Sequence, residues 1–264
     1  MPTADVIDYE LIGDSMQMIR VTLDPGESVL AEAGAMCFMT EGIEMDTQMD
    51  PHGQGGFFGS LFKAGKRMLV GESFFFTVFT CVSNRREDVA FASPYPGKIV
   101  PFQLTEFGGT LLCQKDAFLC AARGVDVDIA FTKKLGTGFF GGEGFILQRL
   151  TGDGLAFIHA GGTIIPKELK HGETLRVDTG CLVAFTAGVD YDIQFVGGIK
   201  TALFGGEGLF FAKMTGPGTV WLQSLPFSRL ADRIIACAPR LGGKRKGEGS
   251  ILGSLGGMLG GGNR

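Results

Sequence analysis

The pentapeptide Phe140-Gly-Gly-Glu-Gly144 recurs as Phe204-Gly-Gly-Glu-Gly208, 64 residues further along the chain. Two flanking blocks recur at the same distance, Gly124-Val-Asp-Val-Asp-Ile129 as Gly188-Val-Asp-Tyr-Asp-Ile193 and Leu150-Thr-Gly-Asp-Gly154 as Met214-Thr-Gly-Pro-Gly218. Several matched blocks at one offset indicate an internal duplication, and a fixed period of this kind organises the whole fold.

A weaker third copy lies upstream of these two. Gly42-Ile-Glu-Met-Asp46 matches the Gly-Val-Asp-x-Asp block, and Gly71-Glu-Ser-Phe-Phe75 matches Gly-Glu-Gly-Phe. The two upstream blocks are 29 residues apart instead of 18, so the first copy holds an insertion of about 11 residues, placed at about 49–65. Because each unit is longer than a solenoid repeat, we expect a duplicated small domain and not an array.

Each unit has the pattern of short strands joined by tight turns. Polarity alternates along Val189-Asp-Tyr-Asp-Ile193, as in a half-buried strand. Turn sequences such as Asp24-Pro-Gly26 and Gly216-Pro-Gly218 separate the strands. The sequence therefore predicts an all-β protein of three β-sandwich repeats, with boundaries at 1–98, 99–166 and 167–227.

The end of the chain departs from this pattern. Ser228 is placed to cap a helix at 228–239 that Pro239 ends. Residues 240–264 form a Gly-rich tail that we expect to be flexible, because each Gly costs a helix about 1 kcal/mol relative to Ala. The alternative is membrane docking of residues 241–264 through Lys244-Arg-Lys246 and apolar residues at helical spacing.

Charge and composition exclude several classes of protein. The 264 residues include 24 Lys and Arg against 28 Asp and Glu, a formal charge of −4, which argues against nucleic acid as a partner. Apolar runs are short and interrupted by Gly, so no transmembrane helix is predicted. Residues 1–10 carry no basic cluster, and we therefore expect a cytoplasmic protein.

The repeated blocks, together with Leu225-Pro-Phe-Ser-Arg-Leu230, resemble the family named after a yeast altered-inheritance-of-mitochondria protein. The resemblance covers about residues 5–238. It implies a fold similar to the tryptophan RNA-binding attenuation protein, with three β-sandwich repeats related to a short double-stranded β-helix. Mitochondrial members of the family are tied to organelle biogenesis and inner-membrane organisation, and bacterial members have no settled activity. The resemblance therefore implies no particular reaction.

Three glutamates fall at the same place in each unit and are the candidate ligand-binding residues: Glu72, Glu143 and Glu207. Converging on a pseudo-threefold axis, they would bind a hard cation such as Ca²⁺ or Mg²⁺. The simpler interpretation pairs each with a nearby Lys or Arg at the surface, a contact worth at most about 1 kcal/mol. We favour the simpler one and expect neither a resident metal nor a cofactor.

Other reactive side chains also favour structural roles. Paired acids alternate along the predicted strands at Glu44 and Asp46, Asp126 and Asp128, and Asp190 and Asp192, as on a solvated sheet face. The 64-residue shift maps His159 onto Gln223, which predicts a satisfied structural polar group. The six cysteines form no Cys-x-x-Cys pair and suit buried free thiols.

No catalytic set is recognisable, so we expect a non-catalytic binding or scaffold protein that self-associates. The candidate interface is an apolar cluster in the first insertion, Phe57, Phe58, Leu61 and Phe62, where exposure would mark a contact surface. The alternative, to which we give equal weight, is that these four side chains pack on the protein core. Two other functions stay open: a metal-assisted enzyme using the repeat carboxylates, and a peripheral membrane protein docking through the tail.

Replacing Glu72, Glu143 and Glu207 together by Gln tests the cation hypothesis. If the glutamates form surface ion pairs, metal content by mass spectrometry and the melting temperature stay nearly unchanged. The loss of a bound ion would contradict that expectation and favour the metal-assisted alternative.

Overall fold

A computed structural model of the chain describes residues 3–48, 76–133, 145–195 and 210–237, and all structural statements below concern these ranges. They contain 19 β-strands and one α-helix, α1, at Phe227–Cys237. The all-β prediction is therefore confirmed. The described residues contain no helix that combines the length and the apolar character needed to cross a membrane.

Strand β1 (Asp8–Ile12) precedes three sets of six strands. The first set is β2 Met18–Leu23, β3 Ser28–Glu32, β4 Met36–Met39, β5 Ile43–Gln48, β6 Phe76–Cys81 and β7 Glu87–Ala92. The second set is β8 Gly97–Gln103, β9 Thr110–Gln114, β10 Phe118–Ala122, β11 Asp126–Lys133, β12 Phe145–Thr151 and β13 Leu155–Gly161. The third set is β14 Ile164–Leu169, β15 Thr174–Asp178, β16 Leu182–Thr186, β17 Asp190–Phe195, β18 Phe210–Thr215 and β19 Gly218–Gln223.

The three sets share one pairing scheme, and we call each set a repeat. The first, sixth and third strands of a repeat form one half-sheet, and the second, fifth and fourth strands form the other. Half-sheets of successive repeats then join through antiparallel pairing of β3 with β10 and of β9 with β16. The result is four sheets, in the orders β1-β2-β7-β4, β5-β6-β3-β10-β13-β8, β11-β12-β9-β16-β19-β14 and β15-β18-β17.

The ladder register accounts for the insertion predicted in the first repeat. Glu44 pairs with Thr80, and Asp126, at the same place in the second repeat, pairs with Thr151. The acidic residues are 82 positions apart whereas the threonines are 71 apart, so the first repeat holds 11 additional residues between β5 and β6. The segment that connects these strands is 49–75, which lies outside the described residues.

A β-bulge marks the third strand of every repeat. The ladder with the sixth strand shifts register between Met36 and Phe38 in β4, and the same shift occurs in β10 and β16, at Phe118/Cys120 and Leu182/Ala184. A bulge re-aims the side chains that follow it. Its recurrence makes Phe38, Cys120 and Ala184 structurally equivalent.

The core lies where the two half-sheets of a repeat face each other. Along β2 every second side chain is buried, namely Ile19, Val21 and Leu23. In the first repeat Phe79 of β6 lies edge to face with Phe91 of β7, with ring centroids 5.2 Å apart. Burying an aromatic side chain of this size contributes about 1.5–3 kcal/mol, so these contacts stabilise the repeat.

Several smaller expectations can be compared with the structure. The paired acids lie on exposed strand faces, except that Asp126 is half-buried. All six cysteines are free, but burial holds only for Cys81, Cys113 and Cys120, since Cys181 is half-buried and Cys37 and Cys237 are exposed. The change from first to second repeat falls between Ala92 and Gly97, a few residues before the predicted boundary at 98/99.

Helix α1 begins at Phe227, so Ser228 lies in its first turn and not at the predicted cap position. The backbone N–H of Arg229 donates instead to the carbonyl of Pro226, which starts the helix earlier. The chain divides into two compact units, Met1–Arg229 and Leu230–Arg264, and the strands all belong to the first. The predicted helix end at Pro239 and the tail 240–264 lie outside the described residues.

A buried carboxylate explains the glycine that opens the repeated Gly-x-x-x-Asp block of the first repeat. Glu87 is 3% exposed and accepts hydrogen bonds from Arg85 Nε at 2.8 Å and Ser83 Oγ at 3.0 Å. A Cβ at Gly42 would lie 2.5 Å from Oε1 of Glu87 and 2.7 Å from Cβ of Ser83, so a larger residue there would displace the hydrogen-bonded carboxylate. The Thr40 hydroxyl, followed by Arg85 and Ser83, lowers the pKa of Glu87 to about 2.

The depressed pKa of Glu87 predicts an acid-sensitive contribution to folding. Its ordinary pKa is 4.5, so the contribution is complete above pH 4.5 and is lost as the pH falls toward 2. Glu87→Gln should therefore lower the melting temperature at pH 7 and flatten its decline between those pH values. Equal pH slopes for Glu87→Gln and the unmodified chain, measured by thermal unfolding, would contradict this assignment.

Candidate functional site

The residues predicted to carry function lie outside the described ranges. This holds for the candidate ligands Glu72, Glu143 and Glu207, for the candidate interface Phe57, Phe58, Leu61 and Phe62, and for the tail 241–264. Among the described residues, no group of three or more His, Cys, Asp or Glu side chains is arranged to hold a metal ion.

A cavity of about 300 Å³ lies where the first two repeats meet. The turns after β3 and β9, the connection from β7 to β8, the end of β13 and the first residue of α1 surround it. Its lining includes six chemically distinctive side chains, Glu32, Tyr95, Asp116, Phe118, His159 and Phe227. The volume is at the lower end of the range for small-molecule sites.

Aromatic rings form much of the cavity wall. Tyr95 is 8% exposed and lies edge to face with the imidazole of His159, with ring centroids 4.6 Å apart. On another side Tyr95 lies against Phe227, with centroids 5.2 Å apart. These contacts fix the phenol ring between β13 and the start of α1.

His159 is the most unusual polar group at the site. It lies on β13 opposite Ile99 and is only 2% exposed. Its ring is hydrogen-bonded to the backbone of Tyr95, whereas its Nδ1 is buried and has no hydrogen-bond partner among the described residues. Burial lowers the pKa of His159 to about 4, against the opposing effect of the Tyr95 hydrogen bond. The imidazole is therefore neutral at pH 7, and Nδ1 is available as an acceptor.

The equivalent position in the third repeat is satisfied. Gln223 pairs with Ile164 as His159 pairs with Ile99. Its Oε1 accepts from the Gly161 N–H at 2.8 Å, and its Nε2 donates to the Gly180 carbonyl at 2.8 Å. His159 was expected to be a structural group with all its hydrogen bonds satisfied, and this expectation fails for Nδ1. The Gln223 amide reaches a backbone N–H and a backbone carbonyl, whereas the His159 imidazole is bonded to one backbone partner.

Two carboxylates, those of Glu32 and Asp116, line the cavity. Burial raises the pKa of Tyr95, and the charges of Asp116 and then Glu32 raise it further. Burial likewise raises the pKa of Cys113, with a smaller contribution from Glu32. Sequence reasoning missed Glu32, Tyr95 and Asp116, since no motif joins them. The replacement of Gln by His across the 64-residue shift was the one available signal.

These observations define an all-β protein of three interlocked six-stranded repeats, with a small polar and aromatic cavity between the first two. The profile of the mitochondrial biogenesis AIM24 family matches residues 9–225. The chain belongs to this family, as its repeated blocks suggested.

Two relatives from Streptococcus pyogenes extend the comparison. An uncharacterized protein of serotype M6 is 30% identical over 227 residues, which cover 84% of this chain and 88% of the relative. The crystal structure of a Streptococcus pyogenes protein from a structural genomics consortium matches with a TM-score of 0.70 and 25% identity. That match covers 87% of this chain and 99% of the other, so the repeated architecture extends over the whole relative.

The neutral imidazole of His159 predicts a pH dependence of stability. The ordinary pKa of a histidine is 6.5. The contribution of neutral His159 to the free energy of unfolding is therefore complete above pH 6.5 and decreases as the pH falls toward 4, because in this range the unfolded chain binds a proton that the folded chain does not. His159→Gln should flatten the decline of the urea midpoint in this window. His171→Gln, in an exposed turn, is the matched control. An unchanged slope in His159→Gln would contradict the assignment.

Proposed function

We propose that the chain is a non-catalytic assembly module that self-associates head to tail, β15 of one copy pairing with β4 of the next. The observation that carries the proposal is the way repeats join within one chain. The second strand of each repeat pairs with the third strand of the following one, as β3 with β10 and β9 with β16. Among the described strands, the second strand of the last repeat, β15, and the third strand of the first repeat, β4, each end their sheets.

Side-chain exposure at equivalent positions supports this pairing. Cys120 and Ala184 are 0% exposed at their junctions, whereas Phe38, their equivalent in β4, is 44% exposed. The following position shows the same contrast, since Met39 is 38% exposed. The apolar surface that two repeats bury against a neighbour is therefore left open in the first repeat.

The internal junctions also specify a register for the contact between copies. Cys120 lies opposite Ala31 and Ala121 opposite Leu30 at the first junction, and the second junction pairs equivalent residues. Transferred to the chain ends, this register places Phe38 opposite Val177 and Met39 opposite Arg176. Phe38 would then extend the apolar core beside Val177, which is 6% exposed.

The sequence of β4 is also suited to pairing. Exposed edge strands are commonly protected by Lys or Pro, and β4, Met-Cys-Phe-Met, has neither. Two different edges meet in the proposed contact, so it is heterologous. Such contacts close into a ring when the rotation between copies permits. A ring satisfies both open edges of every copy.

The proposal includes the cytoplasm as the compartment. The six cysteines are free, including exposed Cys37 and Cys237, which is typical of a reducing environment. The net charge of −4 gives the surface no general attraction for nucleic acid.

Charge substitutions at Met39 test the contact and its register. Met39→Lys places a cation opposite Arg176, whereas Met39→Glu places an anion there, and opposite charges across a ladder are favourable where like charges are not. We expect the association constant of Met39→Lys to fall at least about tenfold below that of Met39→Glu, a difference of about 1.4 kcal/mol per contact. Native mass spectrometry and sedimentation across a concentration series measure the difference.

Two further variants make the test specific. Arg176→Glu should reverse the order, weakening assembly of Met39→Glu and restoring it for Met39→Lys. Met45→Lys, an equally simple change at an exposed residue of β5, is the matched control and should assemble as the unmodified chain does. A monomeric unmodified chain at micromolar concentration, or equal assembly of all Met39 variants, would overturn the proposal.

A further inference from the structure

We propose that the cavity between the first two repeats binds a small organic cation with at least one N–H, such as an alkylammonium or a guanidinium. The cation donates a hydrogen bond to Nδ1 of His159 and lies near the carboxylates of Glu32 and Asp116. The cavity is formed within one chain, so the proposal is independent of assembly between copies.

His159 carries an acceptor that is left unused among the described residues. Its Nδ1 has no hydrogen-bond partner there, in a side chain that lines the cavity and is 98% buried. An unsatisfied buried polar atom costs about 1–3 kcal/mol, which a bound donor would recover. Gln223, at the same place in the third repeat, is satisfied at both amide atoms, so the open acceptor at this position is not a general feature of the repeat.

The charged side chains that line the cavity are acidic. Glu32 and Asp116 line the cavity, and no Lys or Arg does so among the described residues. The charges of Asp116 and then Glu32 add to the effect of burial in raising the pKa of the Tyr95 phenol, in keeping with their place in the cavity lining. An anionic ligand would be repelled there, whereas a cation gains attraction from both carboxylates.

The walls of the cavity are largely aromatic and enclose a small volume. Tyr95 and Phe227 present aromatic rings, and Phe118 adds a third. Aromatic faces attract ammonium and guanidinium groups and also pack against short alkyl chains. A cavity of about 300 Å³ accommodates an amine of a few carbon atoms. A bare divalent ion would instead want several oxygen ligands, which the aromatic wall does not supply.

Butylammonium, the protonated form of n-butylamine at neutral pH, is the first probe. We expect saturable binding by calorimetry, with changes in the NMR signals of His159 and Tyr95. Butanol and butyrate, which share the alkyl chain without the positive charge, should bind at least about tenfold more weakly. Tetramethylammonium, which has no N–H, should also bind more weakly, because it cannot donate to Nδ1.

Three variants assign the contacts. His159→Gln reproduces the side chain of the third repeat and should abolish binding, and Glu32→Gln with Asp116→Asn should weaken it at least about tenfold through loss of charge. The matched control is Asp192→Asn, which removes an exposed acid elsewhere and should leave binding unchanged. If circular dichroism shows that His159→Gln does not fold, the variant with Glu32→Gln and Asp116→Asn still tests the proposal.

The possible outcomes separate clearly. Selective binding of butylammonium that depends on the carboxylates and on His159 supports the proposal. Equal binding of butanol, or of tetramethylammonium, overturns it by removing the need for charge or for an N–H donor. The absence of butylammonium binding at millimolar concentration, in a chain whose NMR spectrum shows the folded state, also overturns it.

Discussion

The pairing between the second strand of one repeat and the third strand of the next is the interaction on which the structure depends. A three-stranded half-sheet alone has two open edges and one face to bury, and such small sheets are marginally stable. Pairing of β3 with β10 and of β9 with β16 converts the half-sheets into six-stranded sheets. Residues of the second junction, Cys113 and Ala184, belong to the same buried core as β2 and β3. The repeats are therefore interlocked parts of one fold and not independent domains.

Local constraints made the repeats visible in the sequence. The glycine that opens the block has a different constraint in each copy: Gly42 lies against the Glu87 carboxylate, Gly124 has a φ of +103°, and a Cβ at Gly188 would lie 2.8 Å from the carbonyl oxygen of Pro217. The 11-residue insertion was deduced from the spacing of the Gly42 and Gly71 blocks, and the acid–threonine pairs of the first two ladders give the same difference. The junctions were not predictable, since Cys120 and Ala184 are small apolar residues with no pattern that distinguishes a strand partner from ordinary core. Pairing across repeats depends on contacts that are distant in sequence.

The cavity could not be predicted from the repeat, although one of its residues was recognised as equivalent to a residue of another copy. The 64-residue shift identified His159 and Gln223 as equivalent, and both residue types can donate and accept hydrogen bonds. Their difference lies in reach: the amide connects Gly161 to Gly180, whereas the imidazole bonds to Tyr95 and leaves Nδ1 unsatisfied. Tyr95 belongs to the connection between β7 and β8, where no repeated block lies. The site therefore arises from a departure from the repeat and not from the repeat itself.

The difference between His159 and its equivalents in the other two repeats determines where an open acceptor occurs. The residue after the bulge partner is Ala92 in the first repeat, His159 in the second and Gln223 in the third. Of these three residues, His159 alone combines burial with an open acceptor, because Gln223 is satisfied and Ala92 has no polar side chain. Among the described residues this position of the repeat therefore gives one candidate site, and the proposed assembly contact uses the opposite ends of the repeat series. Bound cations would then be counted by chains and not by repeats, even in a closed ring whose junctions all follow the same ladder.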